Sequence, residues 1–309
     1  MIELYRRRRS LRHYFGRLTK LAQLGIRPTD LVLDLGSGQD PQPRANILCD
    51  KFVADSQERA CQAGVIIDRP FVVADATRTP FPNQAFDFVY CSHLLEHLDE
   101  PQRLLCELQR IGRRGYIETP SKIYEKLWGW DFHRWFVSLD GNRLVIEAKD
   151  RVIFDEDLHR WFSTQIERKP IWNVFMSRLL ELELLTVLVW DGEIAYQISG
   201  EASPETALFL QAQVSREENL KDLAALAERP PGRSPQLKSL LSRWTRRHSE
   251  HRVKEVLEAL ECPQCRLPLR RAEKQWHCAD CGMTYPIMNQ VHVVLSELAQ
   301  VSIDGPAVV

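Results

Sequence analysis

From residue 31 onward the chain alternates short, unbroken apolar runs with longer polar stretches. LVLDLG (31–36), ILCD (47–50), FVVADA (71–76), FDFVYC (86–91) and GYIET (115–119) each read as a strand buried on both faces. Between the last two, DEPQRLLCELQRI opens on Asp-Glu-Pro, a helix start, and puts Leu104, Leu105, Leu108 and Ile111 on one helical face. Strands separated by helices or crossovers predict a parallel sheet. Further on, LLTVLVW (184–190), Asp191-Gly192 and EIAYQIS (193–199) predict a β-hairpin. The expected fold class is therefore α/β: a doubly wound, mostly parallel seven-stranded sheet with an antiparallel edge hairpin, over residues 28–200.

The pattern changes at both ends. In residues 1–27, Leu4, Leu11, Tyr14, Phe15, Leu18 and Leu21 fall near helical spacing. The same segment carries Arg6, Arg7, Arg8, Arg9, Arg12, Arg17, Lys20 and Arg27 against Glu3 alone. Such a basic amphipathic helix either meets an anionic partner (RNA, a phosphorylated glycan or a membrane surface) or simply docks its apolar stripe on the next domain. After residue 200 the apolar strands stop. Residues 204–229 and 236–260 read as helices broken at Pro230-Pro231-Gly232, which makes 201–255 a helical linker. A compact Cys-rich module follows over 256–300, with 301–309 as a tail.

Composition narrows the class. A chain of 309 residues, 44% hydrophobic and 27% charged, is an ordinary globular mixture with room for two domains, not a disordered or fibrous protein. A formal net charge of −1 excludes a chain that binds nucleic acid through bulk charge. No apolar run approaches the roughly 20 residues that span a bilayer. MIELYRRRRSLRHYF puts arginines where a signal peptide needs its apolar core, so a cytoplasmic location is expected. Of eight cysteines, Cys49, Cys61, Cys91 and Cys106 are scattered and four cluster within 262–281, which points to metal ligation and not to bridges.

The first candidate site begins where Leu31–Leu35 runs into Gly36-Ser37-Gly38. Two glycines at the end of a first strand let a ligand press against backbone. A dinucleotide site would add a third glycine and a helix N-terminus for the pyrophosphate. Here Gln39-Asp40-Pro41-Gln42-Pro43 leaves almost no room for a helix before Ile47. A nucleoside ligand without phosphates fits better. Asp50, ending the second strand, can accept both ribose hydroxyls, and Asp75, ending the third beside Ala76, can accept from an adenine amine. Asp34 can order the loop or face a ligand amino group. Any one of these could be a capping or turn aspartate; three at successive strand ends around GSG make a binding constellation.

With these residues, VLDLGSG, Asp50 and VVADATRTPFPNQAFDFVYCSHLLEHLDEPQRLLCELQRIGRRGYIETPS, the chain resembles the class I S-adenosylmethionine-dependent methyltransferases, of the type 11 kind, over about residues 28–200. The resemblance implies methyl transfer from a sulfonium, with Gly36, Ser37 and Gly38 near the methionine part and Asp50 on the ribose. It also implies Asp75 and Ala76 at the adenine, and Cys91, Ser92 and His93 bordering cofactor and acceptor. The departure is the short stretch between Gly38 and Ile47, where the family usually has a full helix. A sulfonium is already activated, so such an enzyme mainly aligns methyl and nucleophile and excludes water. A general base is needed only for a protonated acceptor; His93, His97, Glu118 and His133 are the candidates, with His93, His133 and Glu118 taken as the catalytic set. Trp128, Trp130, Phe132, His133 and Trp135 either wall an acceptor pocket or form an aromatic core. The Asn/Asp-Pro-Pro-aromatic signature of amide- and base-amine methyltransferases is replaced by Cys-Ser-His-Leu.

The second candidate site is Cys262-Pro-Gln-Cys265 and Cys278-Ala-Asp-Cys281, two Cys-x-x-Cys turns separated by twelve residues. Four thiolates presented this way suit one structural Zn2+. LECPQCRLPLRRAEKQWHCADCGMTYPIMNQVHVVL (260–295) resembles the small zinc-ribbon activators that bind methyltransferases of tRNA, rRNA and release factors by strand addition. The resemblance implies an activator carried in cis. The expected function is methyl transfer to a hydroxyl of a small molecule, lipid or glycan. Alternatives are a tRNA, rRNA or translation-protein methyltransferase, or a non-catalytic nucleic-acid-binding or scaffold protein with a relic cofactor site. An NAD-linked oxidoreductase lacks its third glycine and a Tyr-x-x-x-Lys pair.

Overall fold

The computed structural model describes residues 24–53, 65–130, 132–149, 156–168, 181–202, 249–288 and 291–301. The expected basic helix within 1–27, and nearly all of the expected linker 201–255, lie outside the described residues. The described residues form two compact units, one built from 24–90, 107–115 and 249–301, the other from 91–106 and 116–202.

The first unit is organised around strands β1 (Val32–Leu35), β2 (Ile47–Asp50) and β3 (Phe71–Val73), with the start of β4 (Phe88–Ser92). Their side chains are almost entirely buried, which explains why each reads as a continuous apolar run with no alternation. β1 pairs β2 in parallel, Asp34 opposite Leu48, and β2 pairs β3 in parallel, Asp50 opposite Val73. This register places the carboxyl end of each strand along one edge, where ligands bind in open α/β sheets.

The Cys-rich segment is no detached module. Helix α5 (Glu250–Glu258) leads into strands β10 (Arg270–Arg271), β11 (Gln275–His277), β12 (Met283–Met288), β13 (Val291–Val293) and β14 (Gln300–Val301). β10 to β13 form an antiparallel meander, with β14 on the other side of β12. β13 then pairs in parallel with β3, Val291 opposite Phe71 and Val293 opposite Val73. The strand order in this unit is β10-β11-β12-β13-β3-β2-β1-β4. The seven-stranded expectation is therefore corrected: the Cys-rich strands extend the main sheet. Side chains reinforce the join. Arg266 Nη1 donates to Thr79 O (2.6 Å), Arg78 Nη2 to Gln264 O (2.5 Å) and Glu261 N to Pro80 O (2.7 Å).

The second unit holds the end of β4, helix α1 from its start (α1 spans Pro101–Ile111), most of β5 (Arg114–Pro120), α2 (Lys122–Trp128), β6 (Trp135–Asp140), β7 (Arg143–Ala148), α3 (Glu156–Arg168), α4 (Glu181–Leu184), β8 (Leu185–Asp191) and β9 (Tyr196–Ser199). β8 lies next to β5. The hairpin expected over 184–199 does not form. The bridge Asp191–Glu193 lies before β9 begins, and β9 pairs in parallel with β7, Ile198 opposite Ile146. The real hairpin of this unit is β6–β7, turning at Gly141-Asn142 with Gly141 at φ +60°. The sequence carries that signal in Asp140-Gly141-Asn142.

Candidate functional site

In the first unit, the backbone turns sharply out of β1 through Gly36 (φ +79°) and Gly38 (φ +51°), a conformation that a side chain would strain. Gly36 N and Ser37 N both donate to Cys49 O, at 2.8 and 3.2 Å. Gly38 N donates to Asp50 Oδ2 at 2.8 Å, and Phe52 N to Asp50 Oδ1 at 3.0 Å. Asp34, nearly fully buried, accepts from Gln42 N at 2.6 Å and so orders the loop from inside. Ser37 is buried, and its Oγ has no hydrogen-bond partner. An orphan hydroxyl in a glycine loop is what a polar ligand would satisfy.

The described residues between Gly38 and Ile47 contain no helix, as the two prolines predict. Two arginines hold this segment instead. Arg69 Nη1 donates to Gln42 O (2.9 Å) and Ala45 O (3.0 Å), while Arg44 Nη2 donates to Arg27 O, Pro28 O and Asp30 O at 2.8–2.9 Å. Sequence reasoning missed both, because an isolated arginine in a loop announces no particular carbonyl.

Asp75 is anchored more firmly than expected. Lys51 Nζ donates to its Oδ2 at 2.8 Å; Thr77 N and Oγ1 donate to Oδ1 at 2.8 and 2.6 Å. Burial favours the protonated acid, but Lys51 and Thr77 hold the Asp75 carboxyl below its ordinary value. Ala76 beside it is buried. Lys51, the residue immediately after Asp50, gave no signal of its own.

In the second unit a cluster of histidines and carboxylates surrounds the turn after β4. Cys91 is buried and Ser92 Oγ donates to Glu118 Oε1 at 2.8 Å. Glu118, itself buried, also accepts a short hydrogen bond from the Tyr116 hydroxyl. His93 is half exposed and sits at φ +54°, a left-handed conformation rare for a residue with a side chain. Its N–H donates to Glu118 O at 2.8 Å; its Nδ1 stands 3.3 Å from Glu96 Oε1 and its Nε2 3.7 Å from Glu118 Oε1. The structure thus brings His93 and Glu118 together.

His133 belongs to a different part of this cluster. It is buried, and its Nδ1 pairs closely with Glu125 Oε1. Ser121 Oγ caps α2 by accepting from Tyr124 N (3.2 Å) and Gly129 ends it at φ +61°, so Glu125 is fixed by both helix ends. Lys149 Nζ, fully buried, donates to Glu125 Oε2 at 2.9 Å and to Trp130 O at 2.5 Å. His97 packs edge-on to His133, ring centroids 4.6 Å apart, and stacks on Phe132 at 5.7 Å. Burial pushes the His97 imidazole down to about 3. Trp128 and Trp130 stack at 6.1 Å, and Trp135 Nε1 donates to Leu98 O at 2.7 Å. The aromatic residues 128–135 therefore enclose histidines. Glu96, Glu125 and Lys149 carried no distinct signal in the sequence beyond the Leu95-Glu96-His97 string.

The four cysteines of the β-meander converge. Cys262 Sγ is 3.6 Å from Cys281 Sγ, and Cys265 Sγ is 3.3 Å from Cys278 Sγ and 4.0 Å from Cys281 Sγ. Tetrahedral thiolates about 2.3 Å from a zinc ion stand about 3.8 Å apart, so the set fits one ion. Burial opposes ionisation of Cys262, but the Tyr285 hydroxyl and the N–H groups of Cys265 and Gln264 bring its thiol down to about 7.

Among the described residues no helix is long and apolar enough to cross a membrane. A family described as a methyltransferase domain matches residues 45–117. The chain is 24% identical over 196 residues to the ubiquinone/menaquinone biosynthesis C-methyltransferase UbiE of Burkholderia vietnamiensis, covering 58% of this chain and 75% of that one. It is 35% identical over 105 residues to a demethylmenaquinone methyltransferase of Mycobacterium sp. (strain KMS), covering 33% of this chain and 45% of that one. A solved S-adenosylmethionine-dependent methyltransferase from Mesorhizobium loti aligns at 20% identity and a TM-score of 0.25, over 39% of this chain and 58% of that chain. With a methyltransferase domain across β2 to β5 and these relatives in sequence, the chain is an S-adenosylmethionine-dependent methyltransferase.

Proposed function

We propose that this enzyme methylates a hydroxyl of a small molecule, lipid or glycan, and that its Cys-rich strands are a zinc ribbon that supports the catalytic sheet in cis. The observation that carries the acceptor reading is His93, held in a strained left-handed conformation between Glu96 and Glu118. A half-exposed imidazole backed by a carboxylate is a general base for a protonated acceptor.

S-adenosylmethionine, when bound, supplies an electrophilic methyl on its sulfonium. Asp50 would accept the ribose hydroxyls, Asp75 would accept from the adenine amine, and the Gly36–Gly38 turn with the Ser37 hydroxyl would receive the methionine part. His93 would take the acceptor's hydroxyl proton, and Glu118 positions His93. Zn2+ in the ribbon is structural: four cysteine ligands leave no open position for substrate. Support for a role in cis is the β13–β3 pairing, which gives the ribbon a place in the same sheet as β1 and β2.

A second reading takes a carbon acceptor, because the Burkholderia vietnamiensis relative is a ubiquinone/menaquinone biosynthesis C-methyltransferase. RNA, a phospho-glycan or a membrane surface remains the reading for the basic segment 1–27. The experiment is calorimetry of the full, zinc-loaded chain with S-adenosylmethionine, followed by methyl-labelled assays on hydroxylated, quinol and RNA acceptors. Micromolar binding with label on oxygen supports the proposal. Label on carbon selects the second reading, and no binding at millimolar ligand leaves a non-catalytic binding module.

A further inference from the structure

The second unit contains a group of side chains of which the proposed methyl transfer draws only on Glu96, and only as a neighbour of His93. Glu96, His97 and His133 each offer a ligand atom, and these atoms lie within 4.8 Å of one another. Glu96 is almost wholly buried, with 1% of its side chain exposed, and neither of its carboxylate oxygens has a hydrogen-bond partner. His93 Nδ1 stands 3.3 Å from Oε1, and the imidazoles of His97 and His133 are the other basic groups that act on it. A buried carboxylate in that condition is costly unless something cationic satisfies it.

The neighbours are arranged as they are around bound metal. His133 Nδ1 is taken by Glu125, which leaves Nε2 as its ligating nitrogen, and a histidine ligand is typically oriented by just such a carboxylate. Glu125 is in turn fixed by Lys149 Nζ at 2.9 Å, so its charge is balanced without the ion. Phe132 stacks on His97 with an interplanar angle of 2°, holding that ring's orientation. The backbone adds a further tie, Arg134 N donating to Glu96 O at 2.8 Å.

We propose that Glu96, His97 and His133 bind a divalent transition-metal ion, separate from the ion of the cysteine ribbon. Two imidazoles and one carboxylate on a single centre suit Mn2+, Fe2+, Co2+ or Zn2+, and select against the soft-ligand chemistry of a tetrathiolate. Ligand atoms about 2.1 Å from an ion stand roughly 3 to 4 Å from one another, so the three need to close by only about 1 Å. Three protein ligands leave positions open for oxygen donors such as water or an acceptor hydroxyl, whose acidity the ion raises. Glu125 is a positioning residue: it acts on the ion through His133.

Mn2+ tests this, since it favours oxygen and nitrogen donors and leaves cysteine sites alone. The full chain, with its ribbon loaded with Zn2+, is titrated with Mn2+ and followed by electron paramagnetic resonance without S-adenosylmethionine, so the result is independent of methyl transfer. About one Mn2+ per chain is expected below about 1 mM, with imidazole-nitrogen couplings in the pulsed spectrum. Glu96→Gln and His133→Ala should each weaken binding about 10-fold or more, and Glu125→Gln about 10- to 100-fold, with Glu125→Asp restoring part of the loss. No Mn2+ or Co2+ bound by the wild-type chain at about 1 mM overturns the proposal. So do binding without nitrogen couplings, which needs no variant, and binding unchanged in folded Glu96→Gln and His133→Ala.

Discussion

Gly38 N donates to Asp50 Oδ2 across 2.8 Å, tying the glycine turn after β1 to the carboxylate that closes β2. The bond makes Asp50 an anchor of the loop, and in the proposed function the same carboxylate accepts the ribose hydroxyls. Removing it leaves Gly38 N without its partner, at a cost of about 1–3 kcal/mol. Asp50→Ala should weaken S-adenosylmethionine binding about 10-fold or more by calorimetry. Affinity equal to wild type would show that the cofactor does not use this carboxylate.

The β13–β3 pairing joins the Cys-rich strands to the main sheet, and the proposed function makes that sheet depend on them. Without β13, the buried strand Phe71–Val73 becomes an exposed apolar edge, a template for aggregation. Zinc chelation, or Cys278→Ser, should lower the melting temperature and cause aggregation, and truncation before residue 256 should leave a poorly soluble or weakly active protein. A truncation that is monomeric and fully active would remove the idea of support in cis.

Glu107 ties three segments of the first unit together. It accepts from Thr79 N (2.7 Å), Thr79 Oγ1 (2.6 Å) and Arg110 Nη2 (2.6 Å), and Arg266 Nη2 of the Cys-rich segment stands 3.4 Å from its Oε2. It is buried. Glu107→Ala should destabilise the chain by about 3 kcal/mol or more, since it leaves buried donors and the Arg110 charge unmatched. Denaturant titration measures this; a loss below about 1 kcal/mol would mean that water replaces the carboxylate.

His292, on β13, is buried and accepts from Trp276 Nε1 at 3.1 Å. Burial, followed by the positive charge of Arg271, pushes its imidazole down to about 4 from 6.5. A base whose folded pKa is depressed contributes stability that is complete above the unfolded value. That contribution is lost as pH falls from about 6.5 to about 4, at up to about 1.4 kcal/mol per pH unit. His292→Gln should flatten the stability–pH curve in this window relative to wild type. Parallel curves for the two proteins would refute the assignment.

The strands β1 to β5, the helix at 101–111, the glycine turn and the two Cys-x-x-Cys pairs were all legible in the sequence. Each depends on local chemistry: an unbroken apolar run, a helical stripe, positive-φ glycines, thiols at ligand spacing. The loop without a helix was legible for the same reason, since two prolines forbid it locally.

What the sequence could not decide is which distant segments meet. β9 looks like the return strand of a hairpin, yet it pairs with β7, because a strand's partner is set by which edge is open when the unit packs and not by the turn before it. The ribbon reads as a separate module because nothing local in Val291–Val293 names β3 as its neighbour. The gathering of Glu96, His97 and His133, 37 residues apart at its widest in residue number, and the Lys149–Glu125 pair behind it, exist only after folding. A buried charge carries no periodicity, and its partner is chosen by the tertiary structure, through the cost of leaving it unpaired away from water.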